Sequence, residues 1–106
     1  MTTIKNQTEF EKEVLESKWL VLVDFWAEWC WPCRMMEPIL EQLENNFVNK
    51  LKIVKVNVEE NPDIATKYNI QAIPTLILFK DWQKVEEQVG ALPYSQLYDI
   101  IQQYLD

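Results

Sequence analysis

The stretch Trp29-Cys30-Trp31-Pro32-Cys33 contains both cysteines of the sequence and marks a change of pattern along the chain. An apolar run, residues 19–26, leads directly into it. A helical pattern follows, with apolar residues at three- and four-residue steps: Met35, Met36, Ile39, Leu40, Leu43 and Phe47. The cysteines are therefore predicted to lie where a buried strand ends and a helix begins, with Pro32 in the first helical turn.

A Cys-X-X-Cys pair at such a junction is typical of a redox-active dithiol. The N-terminus of a helix carries partial positive charge and free N–H groups, and both favour a thiolate over a thiol. Two other interpretations are a structural disulfide and half of a zinc site shared between two chains. A structural disulfide would add little stability here, because closing so short a loop removes little entropy from the unfolded chain. A zinc site normally has four ligands, and this sequence has no histidine and no third cysteine to complete one. The motif therefore indicates a thiol–disulfide oxidoreductase.

Length and composition are those of one globular domain, which we expect to span residues 1–106. The net charge of −7 argues against nucleic acid or an anionic membrane as a partner. No apolar run is long enough to predict a membrane span, and residues 1–20 lack the pattern of a signal peptide. Two cysteines in one Cys-X-X-Cys fit a reducing compartment, so we expect a cytoplasmic protein, although a secreted protein after signal removal would look the same.

The first half of the chain predicts strands and helices in alternation. A short edge strand is expected near Ile4, and Thr8 followed by Glu11 forms a capping box for a first helix. Residues 20–26 are almost continuously apolar, which predicts a central strand covered on both faces. The helix over residues 32–47 contains Pro38, which predicts a kink. Three acids on this helix, at helical spacing, are interpreted as its solvated face: Glu37, Glu41 and Glu44.

The second half continues with a strand over residues 51–58 and a short helix over 62–68. Asn61 is the predicted cap of that helix, and Asn69 is predicted to end it in a left-handed conformation. Two strands follow at 75–79 and 85–89, then a final helix whose inward residues are Leu97, Ile100, Ile101, Tyr104 and Leu105. A two-residue hairpin turn would require glycine-like dihedrals at Trp82, so a longer, looser loop is predicted there. The whole order predicts a mixed sheet sandwiched by helices.

Blocks of sequence that occur together in this order carry a family resemblance: Val23-Asp24-Phe25-Trp26-Ala27-Glu28-Trp29-Cys30, Pro32-Cys33-Arg34-Met35, Pro38, Val56-Asn57-Val58, Asn61-Pro62, Lys67-Tyr68, Ile73-Pro74-Thr75-Leu76, Phe79-Lys80 and Val89-Gly90-Ala91. On these blocks the chain resembles the thioredoxin family over nearly all of its length. The resemblance implies an α/β thioredoxin fold, with a central mixed five-stranded sheet flanked by four helices, two on each face.

The same resemblance implies roles for four catalytic residues. Cys30 is similar to the family's attacking cysteine, at the exposed start of the helix, and Cys33 to its buried resolving cysteine. Asp24 is similar to the buried acid that relays a proton to the resolving cysteine, and Lys55 to the lysine close to that acid. Independently, Asp24 interrupts a strand that should otherwise be dry, and desolvation would raise its pKa toward neutrality. The alternative is a structural aspartate paired with Lys55.

The resemblance also implies a docking surface for target proteins. Pro74 is similar to the family's cis-proline facing the disulfide, and the backbone of Ile73 would hold an extended segment of the target. The predicted substrate-binding residues are Trp29, Trp31, Pro32, Ile73, Pro74, Gly90 and Ala91, and Trp26 is expected to pack beneath the site. Trp31 departs from the family, which usually has glycine there, as do Asn69, Ala72 and Trp82. Trp31 is expected to be exposed and to form an aromatic platform with Trp29, which would change target preference.

As implied by the resemblance, the protein reduces disulfides in partner proteins, binds no cofactor and is recycled by an external reductase, the NADPH- and flavin-dependent thioredoxin reductase. We expect a monomer. Two other functions stay open: a disulfide donor or isomerase in an oxidising compartment, and a docking subunit that lends the surface of the fold to a larger complex. A measured reduction potential distinguishes a disulfide donor from a reductase, because oxidising members have much higher reduction potentials than reducing members.

Overall fold

The computed structural model describes residues 1–105, which form one sheet with helices on both sides. In chain order the elements are β1 (Thr2–Thr3), α1 (Gln7–Phe10, continued by a π-helical segment, Glu11–Leu15), β2 (Leu20–Trp26), α2 (Trp31–Met35), α3 (Glu37–Asn46), β3 (Leu51–Asn57), α4 (Pro62–Lys67), β4 (Thr75–Lys80), β5 (Gln83–Val89) and α5 (Tyr94–Gln103). No helix within these described residues has the length and apolar character needed to cross a bilayer.

The sheet is mixed and has the strand order β1-β3-β2-β4-β5. Strand β3 runs parallel to both β1 and β2, whereas β4 is antiparallel to its neighbours β2 and β5. Strand β2 lies at the centre, and residues 20–25 are all buried. The continuous apolar run of β2 is explained because layers of helices cover both of its faces. The predicted mixed five-stranded sheet is confirmed.

Alternation along β2 divides the core into two layers. Leu20 and Leu22 pack in a cluster that includes residues of α3 and α5. Val21, Val23 and Phe25 pack in a second cluster that includes residues of α1 and α4. Because side chains alternate along a strand, Asp24 follows Leu22 on the face covered by α3, which continues α2, and by α5. The strand period therefore places this carboxyl on the side of the sheet that carries the cysteine-bearing helix.

The helix after the cysteines is interrupted, as Pro38 predicts. Helix α2 ends at Met35 and α3 begins at Glu37, with Met36 between them donating its backbone N–H to Cys33 O at 3.1 Å. Proline has no N–H for the helical ladder and its ring crowds the preceding turn, so the chain breaks here. The two segments together form one of the four helices that flank the sheet, the others being α1, α4 and α5.

One of the two predicted helix caps is wrong. The cap of α1 is Asn6, whose side chain accepts the N–H of Glu9 at 2.8 Å, so Thr8 lies inside the helix. Asn6 has the extended backbone that an N-cap needs, and Asn is at least as good a cap as Thr. Asn61 occupies the N-cap of α4 with Pro62 in the first turn, as predicted, although its side chain makes no cap bond. It is buried and donates to Asn57 O at 3.1 Å and Ile4 O at 3.5 Å.

The predicted long loop between β4 and β5 is also wrong. Lys80 and Gln83 pair across the hairpin, which leaves a two-residue turn of Asp81 and Trp82 with φ angles of 51° and 59°. Two positive φ values are what the turn geometry matched to sheet twist requires. Trp82 adopts one of them without glycine, and its side chain is 64% exposed, so it meets no packing conflict. Asn69, by contrast, has the predicted left-handed conformation, with φ of 54°.

Candidate functional site

The two cysteines lie at the junction of β2 and α2, as predicted, and they form a disulfide with a Cα–Cα distance of 5.3 Å. Cys30 is the N-cap of α2, and its Sγ accepts the backbone N–H of Cys33 at 3.2 Å. Pro32 occupies the first turn of the helix. A thiolate at this position would receive an N–H hydrogen bond and the positive end of the backbone dipoles, and both lower a thiol pKa.

The prediction that Cys30 is exposed is wrong for this disulfide state. The side chains of Cys30 and Cys33 are 3% and 2% accessible, so exposure does not distinguish the two sulfurs. They pack with Ala27 in a small cluster bordered by Trp26, Val58 and Ile73. What distinguishes them is position, because only Cys30 stands at the N-cap. The flanking Trp29 and Trp31 are 68% and 67% exposed, as expected for Trp31.

Segments distant in sequence border this disulfide. The Ile73–Pro74 peptide bond is cis, which confirms the expectation from the family, and Ile73 packs against the cysteine cluster. Gly90 donates its N–H to Pro74 O at 2.8 Å, so the start of β4 and the end of β5 meet here. Gly90 has φ of 95°, a conformation that residues with a Cβ rarely adopt. Ala91 follows it and is exposed.

Asp24 is buried, as predicted, and it is 1% exposed. Neither of its carboxyl oxygens has a hydrogen-bond partner. Burial raises the pKa of Asp24 from its ordinary value of 3.8 to about 7; the positive charge of Lys55 opposes this rise and the negative charge of Glu37 adds to it. A carboxyl with this pKa exchanges its proton near neutral pH, which is the property that a general acid–base group requires.

Lys55 lies beside Asp24 in the sheet, but its ion pair is with another residue. The two Cα atoms are partners in the parallel register of β2 and β3. The ammonium group of Lys55 instead donates to Glu37 Oε2 at 2.7 Å and lies 4.2 Å from the ring centroid of Trp26. The alternative of a structural Asp24–Lys55 pair is therefore not what the structure contains.

Glu37 is the residue that sequence reasoning missed. Its side chain is 38% exposed, as a solvated helix face implies, but its carboxylate also binds the largely buried Lys55, which that interpretation did not include. The signal was present in the spacing, since Glu37 follows Cys33 by four residues, and residues four apart share one side of a helix. That signal is weak, because the same spacing also relates Glu37 to the exposed Glu41.

A cavity of ≈ 280 Å³ borders Cys33 and the Lys55–Glu37 pair but not Asp24; its lining residues are Trp26, Glu28, Cys33, Arg34, Glu37 and Lys55. A cavity of ≈ 430 Å³ lies at the other end of β2, beside Trp19 and Leu20, and its lining contains neither cysteine nor Asp24. Of these two cavities, only the smaller one borders the redox pair. Within residues 1–105 no cluster of three or more His, Cys, Asp or Glu is arranged to hold a metal ion.

Comparisons with known proteins agree with this geometry. The family model described as Thioredoxin matches residues 1–103. Thioredoxin 1 from Synechococcus elongatus is 48% identical over 96 residues, covering 91% of this chain and 90% of the relative. Thioredoxin C-2 from Corynebacterium nephridii is 50% identical over 103 residues, covering 95% of each. The solved structure of Plasmodium falciparum thioredoxin superposes with a TM-score of 0.89 at 33% identity, covering 98% of this chain and 99% of that one.

Thioredoxins act on disulfide substrates, are returned to the dithiol form by a reductase and need no bound cofactor for that exchange. The sheet order, the Cys30–Cys33 pair at the head of a helix and the relatives all agree. The chain therefore belongs to the thioredoxin family and is a thiol–disulfide oxidoreductase.

Proposed function

We propose that Cys30 is the attacking nucleophile and Cys33 the resolving cysteine in the reduction of disulfides in partner proteins. In the dithiol form, the Cys30 thiolate attacks one sulfur of the target disulfide and releases the other target sulfur as a thiolate, which takes up a proton. Cys33 then attacks Cys30 and displaces the second target thiolate. The two electrons of the dithiol pass to the target, and the Cys30–Cys33 disulfide remains. The carrying observation is the Cys33 N–H bond to Cys30 Sγ at the helix cap.

Asp24 is the proposed acceptor of the Cys33 proton. Cys33 must lose this proton before it can attack, because the thiolate is the nucleophile. Asp24 lies on the face of β2 that carries α2, has no competing hydrogen bond and has a pKa of about 7. It therefore exists partly as carboxylate at neutral pH and can take the proton, with Lys55 as the nearby positive charge.

The proposed target surface surrounds the disulfide. It comprises Trp29, Trp31, Pro32, Ile73, Pro74, Gly90 and Ala91. The two exposed tryptophans supply apolar area beside Cys30, and large rigid aromatic side chains are favoured anchors at interfaces. Ile73 borders the cysteine cluster, where its backbone can pair with an extended segment of the target.

The wider setting is proposed on the same basis. We infer recycling by the NADPH- and flavin-dependent thioredoxin reductase, action as a monomer of one domain over residues 1–106, and a cytoplasmic location. Asp106, the last residue of that range, lies outside the described residues. The net charge of −7 supports protein partners over nucleic acid and anionic membrane surfaces.

A trapping experiment tests the assignment of the two cysteines. Cys33→Ser should accumulate a mixed disulfide between Cys30 and an oxidised substrate such as insulin, because attack remains and resolution is lost. Cys30→Ser is the matched control and should trap far less. Mass spectrometry of the trapped complex reads the bond directly. A complex joined through Cys33 in the Cys30→Ser protein, formed as fast as the first, would reverse the roles.

A further inference from the structure

The cation closest to the proposed proton acceptor is held by a carboxylate that the reaction does not itself use. The Lys55 ammonium group contacts Glu37 Oε2 at 2.7 Å and stacks over Trp26 at 4.2 Å. The side chain of Lys55 is 12% exposed and that of Glu37 is 38% exposed, so this pair lies at the mouth of the cavity beside Cys33. A partly buried, hydrogen-bonded ion pair holds its geometry better than a freely exposed one.

Asp24, unlike Lys55, has no ion-pair or hydrogen-bond partner. Its Cα is the register partner of Lys55, and adjacent strands lie about 4.8 Å apart, so a Lys55 side chain released from Glu37 has Asp24 within reach. In the structure both carboxyl oxygens of Asp24 are without a partner. The charged groups around it are Lys55 from β3 and Glu37 from α3, with Glu28 and Arg34 also lining the cavity. Its register neighbour on β4 is the uncharged Leu76.

We propose that Glu37 is a positioning residue for the proton relay: it holds Lys55 away from Asp24, which leaves the Asp24 carboxyl free to exchange a proton with Cys33. This inference rests on the proposed role of Asp24 and deepens it. Removing the charge of Glu37 has two consequences, and both lower the pKa of Asp24. The negative charge that disfavours ionised Asp24 disappears, and Lys55 becomes available to pair with the carboxylate.

Glu37→Gln tests the proposal, with the pH dependence of the resolving step as the readout. The release of reduced substrate from a preformed mixed disulfide is followed by stopped flow across neutral pH. The Asp24 carboxyl is titrated in parallel by carbon-13 NMR. We expect the Asp24 midpoint to fall by about one pH unit, as for an acid that gains a close opposite charge. Glu41→Gln removes the same charge from an exposed position of α3 and should leave the midpoint in place.

A second background separates positioning from a plain charge effect. In the Lys55→Met protein no ammonium group can move to Asp24. Adding Glu37→Gln to that protein should therefore shift the Asp24 titration midpoint less than Glu37→Gln does in the protein that retains Lys55. Equal shifts in the two backgrounds would overturn the positioning role and leave only a through-space charge effect. A midpoint unchanged by Glu37→Gln would overturn it as well.

Failure of the relay itself has a different signature. If Asp24→Asn resolves the mixed disulfide with the wild-type pH profile, Asp24 is not the proton acceptor and both proposals fall. If Asp24→Asn slows resolution while Glu37→Gln behaves like Glu41→Gln, the relay stands and only the role of Glu37 is wrong. Melting temperatures of the variants establish that each protein is folded under the conditions used.

Discussion

The sharpest test of the buried carboxyl is the stability of Asp24→Asn as a function of pH. The side chain is 1% exposed, neither oxygen is hydrogen-bonded, and burial raises its pKa from 3.8 to about 7. Asparagine has nearly the same shape and cannot ionise. The substitution therefore removes the cost of placing a negative charge in the core and leaves the packing almost unchanged.

The direction of the pH dependence follows from how many protons the folded and the unfolded protein bind. Below the unfolded value of 3.8 the carboxyl is protonated in both the folded and the unfolded protein, so its ionisation costs nothing. As the pH rises toward 7, the unfolded chain ionises freely while the folded protein keeps its proton, and folded wild-type protein loses stability. Above pH 7 the loss is complete. The interval between the two pKa values corresponds to about 4 kcal/mol.

The assay is chemical denaturation of the oxidised proteins from about pH 4 to about pH 8, the range over which this linkage acts. We expect the free energy of unfolding of Asp24→Asn to rise relative to wild type by about 4 kcal/mol across this range. The buried amide adds a cost of about 1–3 kcal/mol that is the same at every pH, so the slope is the measured quantity. Asp63→Asn, on exposed α4 surface, is the matched charge control. A difference between Asp24→Asn and wild type that stays constant with pH would refute the reasoning.

Three further predictions follow from exposed residues. Trp31→Gly should change the catalytic efficiency toward protein disulfides or toward the reductase several-fold with little change in melting temperature, because the ring is 67% exposed beside Cys30; unchanged kinetics and reduction potential would contradict a docking role. Trp82→Gly should raise the free energy of unfolding by about 0.5–1 kcal/mol, because glycine adopts positive φ without steric cost, and an equal or lower value in urea denaturation would argue against strain in the turn. Asn6→Ala should lower the free energy of unfolding by about 1 kcal/mol through loss of the α1 cap, whereas Thr8→Ala in the same assay should cost clearly less.

The sequence determined the fold and the redox pair because the signals for both are local. The apolar run of β2 needs cover on both faces, and the helical pattern after Cys33 provides part of that cover. The Cys-X-X-Cys spacing at their junction permits the disulfide without any information from distant residues. The position of Asp24 within the nearly continuous apolar run of β2 also predicted a buried carboxyl, whereas the face of the sheet on which it lies follows from the packing of α3.

Other features depended on competition between partners, and only the tertiary structure decided them. Lys55 had Asp24 beside it in the sheet and Glu37 on α3 as possible partners, and its ammonium group pairs with Glu37. Cys30 begins a helix, which suggested exposure, yet Trp26, Val58 and Ile73 from three other segments close around the cysteine cluster. Pro74 and Gly90 are joined by a backbone hydrogen bond across the β4–β5 pair.

The backbone of the turn at Asp81 and Trp82 is likewise a feature that only the tertiary structure decided. The side-chain preference of Trp82 predicts a loop without positive φ, but the pairing of Lys80 with Gln83 sets the turn length. The pairing of the two strands outweighs a local cost of up to about 1–2 kcal/mol for each of the two left-handed residues. Periodicity in a sequence reports which face of an element is buried. The choice among several partners, or between a local strain and a distant pairing, depends on distances of a few ångströms that exist only once the elements have packed.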